Sequence, residues 1–228
     1  MIDFYDYAPF VAASLSNGRY TYQEGSGDMP LNDLAFLDML VDSIKKEGMV
    51  AYEIGAWTGM STCCIGKIVK GCHGTLTTID NFGGSNGNQE TLLAKVDVRS
   101  ILYRNLKRFG IDDVVTLLER NSDECEDIPD NSIDFLFIDG DHRYTQFKKD
   151  LKNWYPKIKQ GGVISGHDCN GTEWKEEYVE QDAEVVGNKA LHHGVNKALV
   201  EEFGNRVGLF LNDGKMLSSI WVVNKDET

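Results

Sequence analysis

No Cys-x-x-Cys pair occurs in this chain of 228 residues, and its cysteines are only five: Cys63, Cys64, Cys72, Cys125 and Cys169. An odd, unpatterned set argues against a disulfide framework and a structural zinc site, and it fits a reducing compartment. Basic residues are scarce as well, with 23 Lys and Arg against 36 Asp and Glu for a net charge of −13. Such a field repels a phosphate backbone, so nucleic acid is not an expected partner; we read the acidity as solubility. No apolar run approaches the roughly eighteen residues of a membrane span. The opening Met-Ile-Asp-Phe-Tyr-Asp-Tyr lacks the basic and apolar regions of a secretory signal. A cytoplasmic protein without a membrane partner is therefore the expectation.

What the chain does have is alternation. From Val50 onward, short apolar runs alternate with amphipathic stretches, the pattern of βα units around a largely parallel sheet. Strands are expected at Val50–Ile54, Thr75–Ile79, Val114–Leu118, Ile133–Ile138, Val163–Ser165, Val207–Leu211 and Ser219–Val223. Between them, Phe147, Leu151 and Trp154 mark one helical face, and Val98, Leu102, Leu106 and Phe109 another, with Gly110 placed to end that helix. A further helix is expected at about Pro30–Lys46. The Asn212-Asp-Gly-Lys turn is too short for a crossover and predicts a closing antiparallel hairpin. With 41% apolar residues the chain can bury one sizeable core, so a single domain over 1–228 is expected, residues 1–30 forming an arm and 31–228 the core.

Two stretches carry candidate chemistry. In Glu53-Ile-Gly-Ala-Trp-Thr-Gly-Met-Ser, Gly55 and Gly59 permit a tight turn and close approach of a ligand, and Ser61 or Thr62 can cap the following helix. That helix end suits a carboxylate or phosphate, and Glu53 suits a cationic amine. Asp80, followed by Asn81, lies at the end of the next strand, about twenty residues on, where an acid can accept from ribose hydroxyls; the bland alternative is that it caps the 83–88 loop. Ser122 and Asp123 sit where an adenine edge would lie, or else form a plain polar loop.

The other stretch places Asp139, Asp141 and His142 after one strand and His167 and Asp168 after the next. Adjacent strands would bring them together, either to bind a divalent cation or to set a base beside a hydroxyl. His192-His193 could approach the acceptor or cap a loop, and the loop is the favoured reading; Asn170–Asn188 is read as a substrate-contacting segment or a surface excursion, and Cys63-Cys64 as packing.

Glu-Ile-Gly-Ala-Trp-Thr-Gly, the acid of Thr-Ile-Asp-Asn, Phe-Leu-Phe-Ile-Asp-Gly-Asp-His-Arg-Tyr and Gly-Gly-Val-Ile-Ser-Gly-His-Asp resemble, in order and spacing, the motifs of class I S-adenosylmethionine-dependent methyltransferases. They are most similar to the small-molecule O-methyltransferase branch, of the methyltransferase family 24 type, over about Leu34 to Val223. The resemblance implies an α/β fold: a Rossmann-like seven-stranded mostly parallel sheet with helices on both faces and a C-terminal antiparallel hairpin. It also implies that Glu53 and the Gly55–Gly59 loop, with Ser61, hold the methionine end of the cofactor. Asp80 and Asn81 are to hold the ribose, the Asn121–Asp123 loop the adenine, and Asp139 completes the set. His142, His167 and Asp168 are the expected catalytic residues. Asp139, His167 and Asp168 are the expected ligands of Mg²⁺ or another divalent cation. Here the sequence departs from the catechol-type enzymes, where an Asp-Asn pair stands in place of His167-Asp168. A small-molecule acceptor and a homodimer are the expected partners. An NAD-linked oxidoreductase is the competing enzyme reading, disfavoured by the absence of Gly-x-Gly-x-x-Gly and by the terminal hairpin. A non-catalytic cofactor-binding module is the third.

Overall fold

The computed structural model describes residues 29–83, 97–187 and 189–226. Residues 1–28 of the expected arm and 84–88 of the loop after Asp80 lie outside them. Helix α1 (Leu31–Ile44) leads into β1 (Val50–Ile54), α2 (Met60–Gly71), β2 (Thr75–Ile79), α3 (Val98–Arg108) and β3 (Val115–Leu118). Then come β4 (Ile133–Ile138), α4 (Tyr144–Trp154), β5 (Ile158–Gly166), a small hairpin of β6 (Glu184–Val186) and β7 (Lys189–Leu191), α5 (His193–Phe203), β8 (Gly208–Asn212) and β9 (Lys215–Asn224).

The main sheet has seven strands in the order β3-β2-β1-β4-β5-β9-β8. β1 to β5 pair in parallel, whereas β9 runs antiparallel to both β5 and β8, as the Asn212–Lys215 turn predicts. The order reverses between β1 and β4, and in open α/β sheets ligands bind beyond the strand carboxyl ends at such a switch point.

Alternation along the strands divides the core. Phe135 and Phe137 of β4 face a layer with Leu34, Leu37 and Val41 of α1, Ile65 and Val69 of α2, and Leu102 and Leu106 of α3. Leu136 and Ile138 face Phe147, Leu151 and Trp154 of α4 with Val195, Leu199 and Phe203 of α5. Every residue of β4 is buried, as expected of a central parallel strand covered on both sides. Local chemistry ends the helices where the sequence places the signals: Asp97 accepts the Ser100 N–H at the start of α3, and Gly110, at φ 63°, follows its end. Cys63 and Cys64 are buried in α2, and burial pushes both thiols well above the ordinary range, which suits packing and not reactivity. Among the described residues no helix is long and apolar enough to cross a membrane.

Candidate active site

The turn after β1 is shaped by close approach. Gly55 has φ 88°, and a Cβ there would lie 2.0 Å from the carbonyl oxygen of Asp139, so only glycine lets this loop pack on the end of β4. Gly59, at φ 90°, begins α2 without a side-chain cap, which leaves the helix end open to an anionic group. Neither Ser61 nor Thr62 supplies that cap: their hydroxyls donate to Glu53 at 2.6 Å each, and Thr78 adds a third bond at 2.7 Å. Glu53 is wholly buried, and desolvation, opposed by the three hydroxyls, raises its carboxyl to about 7. Its place is therefore beneath the loop, tying β1 to α2 and β2.

Asp80 also reaches back to this loop. Its Oδ2 accepts from the backbone N–H groups of Ala56 and Trp57, both at 2.9 Å, and its Oδ1 accepts from Phe82 at 2.7 Å. A carboxylate oxygen has two lone pairs, so Oδ1 keeps one for a ribose hydroxyl while Oδ2 is filled. Asn81 donates to Asn121 Oδ1 at 2.7 Å, joining the loops after β2 and β3. Ser122 and Asp123 face α4: Ser122 donates to Asp150 at 2.6 Å, and Asp123 pairs with Lys149 and accepts from Gln146.

The strand-end acids and histidines do converge. His142 Nε2 lies 2.9 Å from Asp168 Oδ2 and 3.7 Å from Asp139 Oδ1; His167 Nδ1 lies 3.3 Å from Asp168 Oδ1 and 3.8 Å from Asp139 Oδ1. Asp168 holds φ 64°, an unusual backbone state for a residue with a side chain, of the kind that clusters at functional sites. Asp141 departs from the expectation. Its carboxylate makes a bidentate pair with Arg143 two residues on instead, and the cluster forms without it.

Three members escaped sequence reasoning. His192, read as a loop cap, points Nε2 at Asp168 Oδ1, 3.2 Å away, and its ring centroid stands 4.4 Å from that of His142. Asp182, within the stretch read as a substrate-contacting segment or a surface excursion, places Oδ1 2.9 Å from His142 Nδ1, while its carbonyl oxygen lies 2.8 Å from His192 Nδ1. Asp33 of α1 lies 3.0 Å from His167 Nε2. The only signal in the sequence was the glycine beside the histidine pair: a Cβ at Gly194 would lie 2.4 Å from the His142 carbonyl oxygen, so glycine lets α5 begin against the His142 turn. His193 serves that docking, bonded to the Lys175 N–H and Glu184.

The charges are mutually supporting. Burial alone would depress His142 and His167, yet Asp168, with Asp139 and Asp182 or Asp33, lifts both well above the usual imidazole range. Burial likewise would raise Asp168, but His167, His192 and His142 hold it well below the ordinary carboxylate range. His192 is held below its usual value by burial and by repulsion from His142, against the pull of Asp168. Two sets have ligand atoms within 4.8 Å of one another: Asp139, His167 and Asp168, and His142, Asp168 and His192.

With this geometry in hand, likeness to known proteins becomes informative. A family described as methyltransferase domain matches residues 52–169, from β1 through the Asp168 turn. The uncharacterized protein R132 of Acanthamoeba polyphaga mimivirus is 25% identical over 156 residues, spanning 67% of this chain and 66% of its own length. In three dimensions the chain is similar to the O-methyltransferase NovP, with a TM-score of 0.59, 17% identity, and coverage of 91% of this chain and 89% of that one. It is also similar to cofactor-bound Rv0187 from MTB, with a TM-score of 0.58, 15% identity, and coverage of 96% and 91%. At these identities the structural likeness is one of fold.

Proposed function

This chain belongs to the methyltransferase domain family, among the class I S-adenosylmethionine-dependent methyltransferases, and from that premise we propose that it methylates a hydroxyl group of a small molecule. One observation carries the reading: the glycine loop and the histidine–aspartate cluster share an edge, Gly55 packing on the backbone of Asp139 while the Asp139 N–H donates to Ile54 at 2.8 Å. A donor on the loop and an acceptor at the cluster are thereby held side by side, which is the main service an enzyme can render to a displacement reaction.

The loop residues fit the cofactor. The uncapped start of α2 suits a carboxylate, the remaining lone pair of Asp80 Oδ1 suits a ribose hydroxyl, and Asn81, bonded to Asn121, flanks the loop that carries Ser122 and Asp123, whose side chains turn to α4. When bound, S-adenosylmethionine supplies an activated methyl group for in-line transfer. Glu53 we assign to positioning, since it reaches the loop only through Ser61, Thr62 and Thr78.

At the cluster, His142, His167 and Asp168 are assigned to hold and orient the acceptor hydroxyl, His167 being anchored at Nε2 by Asp33. Asp139, His167 and Asp168 offer two carboxylates and one imidazole, a donor set that fits a divalent cation able to lower a hydroxyl's pKa. The acidic surface, −13 overall, supports a small acceptor over nucleic acid.

The test is release of S-adenosylhomocysteine from the purified protein across a panel of hydroxyl- and amine-bearing metabolites, with calorimetry for S-adenosylmethionine and NAD. Product from hydroxyl acceptors is expected. Product from amines alone would overturn the acceptor assignment, binding of NAD alone the donor assignment, and cofactor binding without any transfer would point to a non-catalytic module.

A further inference from the structure

We propose that His142, His192 and Asp168 form a two-histidine, one-carboxylate site for a divalent transition metal of the Zn²⁺, Co²⁺ or Fe²⁺ type. The inference rests on the placement of the acceptor site at this cluster and specifies the ion that would serve there; the ion's own binding does not depend on methyl transfer.

Both imidazoles are fixed through their outer nitrogens by Asp182. A backbone carbonyl can only accept a hydrogen bond, so the Asp182 carbonyl oxygen, 2.8 Å from His192 Nδ1, requires the proton of that ring to sit on Nδ1. The Asp182 carboxylate does the same for His142 at 2.9 Å. One residue thus orients both rings and turns both Nε2 atoms inward. Each Nε2 then meets an oxygen of the same carboxylate: His142 faces Asp168 Oδ2 at 2.9 Å and His192 faces Oδ1 at 3.2 Å. Unless a cation intervenes, each contact either sets lone pair against lone pair or needs a second proton on its ring. Protonating both rings would put two positive charges side by side, 4.4 Å apart between centroids.

A second observation is independent of that reasoning. Among the described residues His142 Nε2 is buried without a hydrogen-bond partner; its approach to Asp168 is close but poorly aligned for one. Buried polar atoms are almost always satisfied, and an unsatisfied one at the centre of a cluster points to an absent ion.

The dimensions agree. One ligand atom from each of His142, Asp168 and His192 lies within 4.8 Å of the others, as a shared ion requires, and an ion with bonds of about 2.0 Å would draw them to roughly 3.3 Å. Nitrogen ligands favour transition ions, whereas Mg²⁺ prefers all-oxygen shells with several waters. Histidine ligands that give their outer N–H to a carboxylate or carbonyl are also the usual arrangement around such metals, and Asp182 supplies both. Three protein ligands leave a position open for an acceptor oxygen, and His167 stays outside the set, its Nδ1 facing Asp168 Oδ1 at 3.3 Å.

Metal-stripped protein titrated with Co²⁺ should develop the visible d–d bands of a four- or five-coordinate ion at one equivalent, and Zn²⁺ should displace it. In the Co²⁺-loaded wild-type protein, proton NMR should show two hyperfine-shifted signals that vanish in D₂O, the Nδ1–H protons of His142 and His192. His192→Ala and Asp182→Asn should each weaken Co²⁺ binding by roughly 10- to 100-fold, while His193→Gln, at the neighbouring imidazole, should not. A single exchangeable shifted signal would transfer the ion to the set containing His167, and tight Co²⁺ binding that survives both substitutions would do the same. Absence of Co²⁺ and Zn²⁺ binding by the wild-type protein would end the proposal. The NMR count needs no variant to fold, and none of these readouts uses S-adenosylmethionine, so failure of the methyltransferase reading would leave the metal result standing.

Discussion

Asp80 Oδ2 lies 2.9 Å from the backbone nitrogen of Trp57, so the acid ending β2 is bound to the glycine loop that ends β1. The loop residue it holds has φ 46°, a conformation that a bulky side chain adopts only under constraint. Asp80 consequently has two duties, holding the loop and presenting Oδ1. Asp80→Ala should weaken S-adenosylmethionine binding by roughly 10- to 100-fold, the worth of a charge-assisted hydrogen bond together with loss of the ordered loop. Calorimetry decides it, and an unchanged dissociation constant would mean that the ribose lies elsewhere.

Asp168 faces three imidazoles and touches none of the loop residues that we assign to the cofactor. Asp168→Ala should therefore abolish turnover and leave cofactor affinity within about twofold, a change too small to reflect a lost hydrogen bond. A variant that retained full activity would remove the cluster from the mechanism.

Gly55 has no room for a methyl group. With φ 88° and a neighbouring carbonyl oxygen 2.0 Å from the added Cβ, Gly55→Ala must separate β1 from β4 or distort the turn. The expected cost is at least about 3 kcal/mol, combining backbone strain with the clash. Urea unfolding measures it; a loss below 1 kcal/mol, on the order of an ordinary surface change, is the result that would contradict the packing described.

Asp150 predicts a pH dependence of stability. It is buried, and desolvation, only partly offset by hydrogen bonds from Ser122 and Gln146, raises its carboxyl from 3.8 to about 7. A group whose folded pKa lies above its unfolded value contributes stability that is complete below the unfolded pKa, here near pH 4, and is lost as pH rises through the folded pKa, near 7. By linkage that loss is at most roughly 4 kcal/mol. Asp150→Asn keeps an acceptor for Ser122 and Gln146 but cannot ionise, so its stability relative to the wild type should improve between pH 5 and pH 8. Parallel unfolding profiles across that range would show that the carboxylate is accommodated without penalty.

Much of this molecule was written locally. The apolar run that makes β4 a wholly buried strand, the spacing of Phe147, Leu151 and Trp154 on α4, and the short turn that reverses the chain before β9 all depend on neighbours within a few residues. The sequence by itself therefore determined the seven strands of the main sheet, their order of appearance, the terminal hairpin and the two strand-end motifs, but not the small β6–β7 hairpin. Only the tertiary structure decided which way the side chains at those ends would face. Asp141 and Asp139 are two residues apart, yet one pairs with Arg143 and the other faces His142 and His167. Asp33, Asp182 and His192 come from three separate elements, and no local pattern marks them, because they meet through the docking of α1 and α5 on the sheet. Periodicity is a property of adjacent residues; convergence depends on where Gly55 and Gly194 let backbones touch.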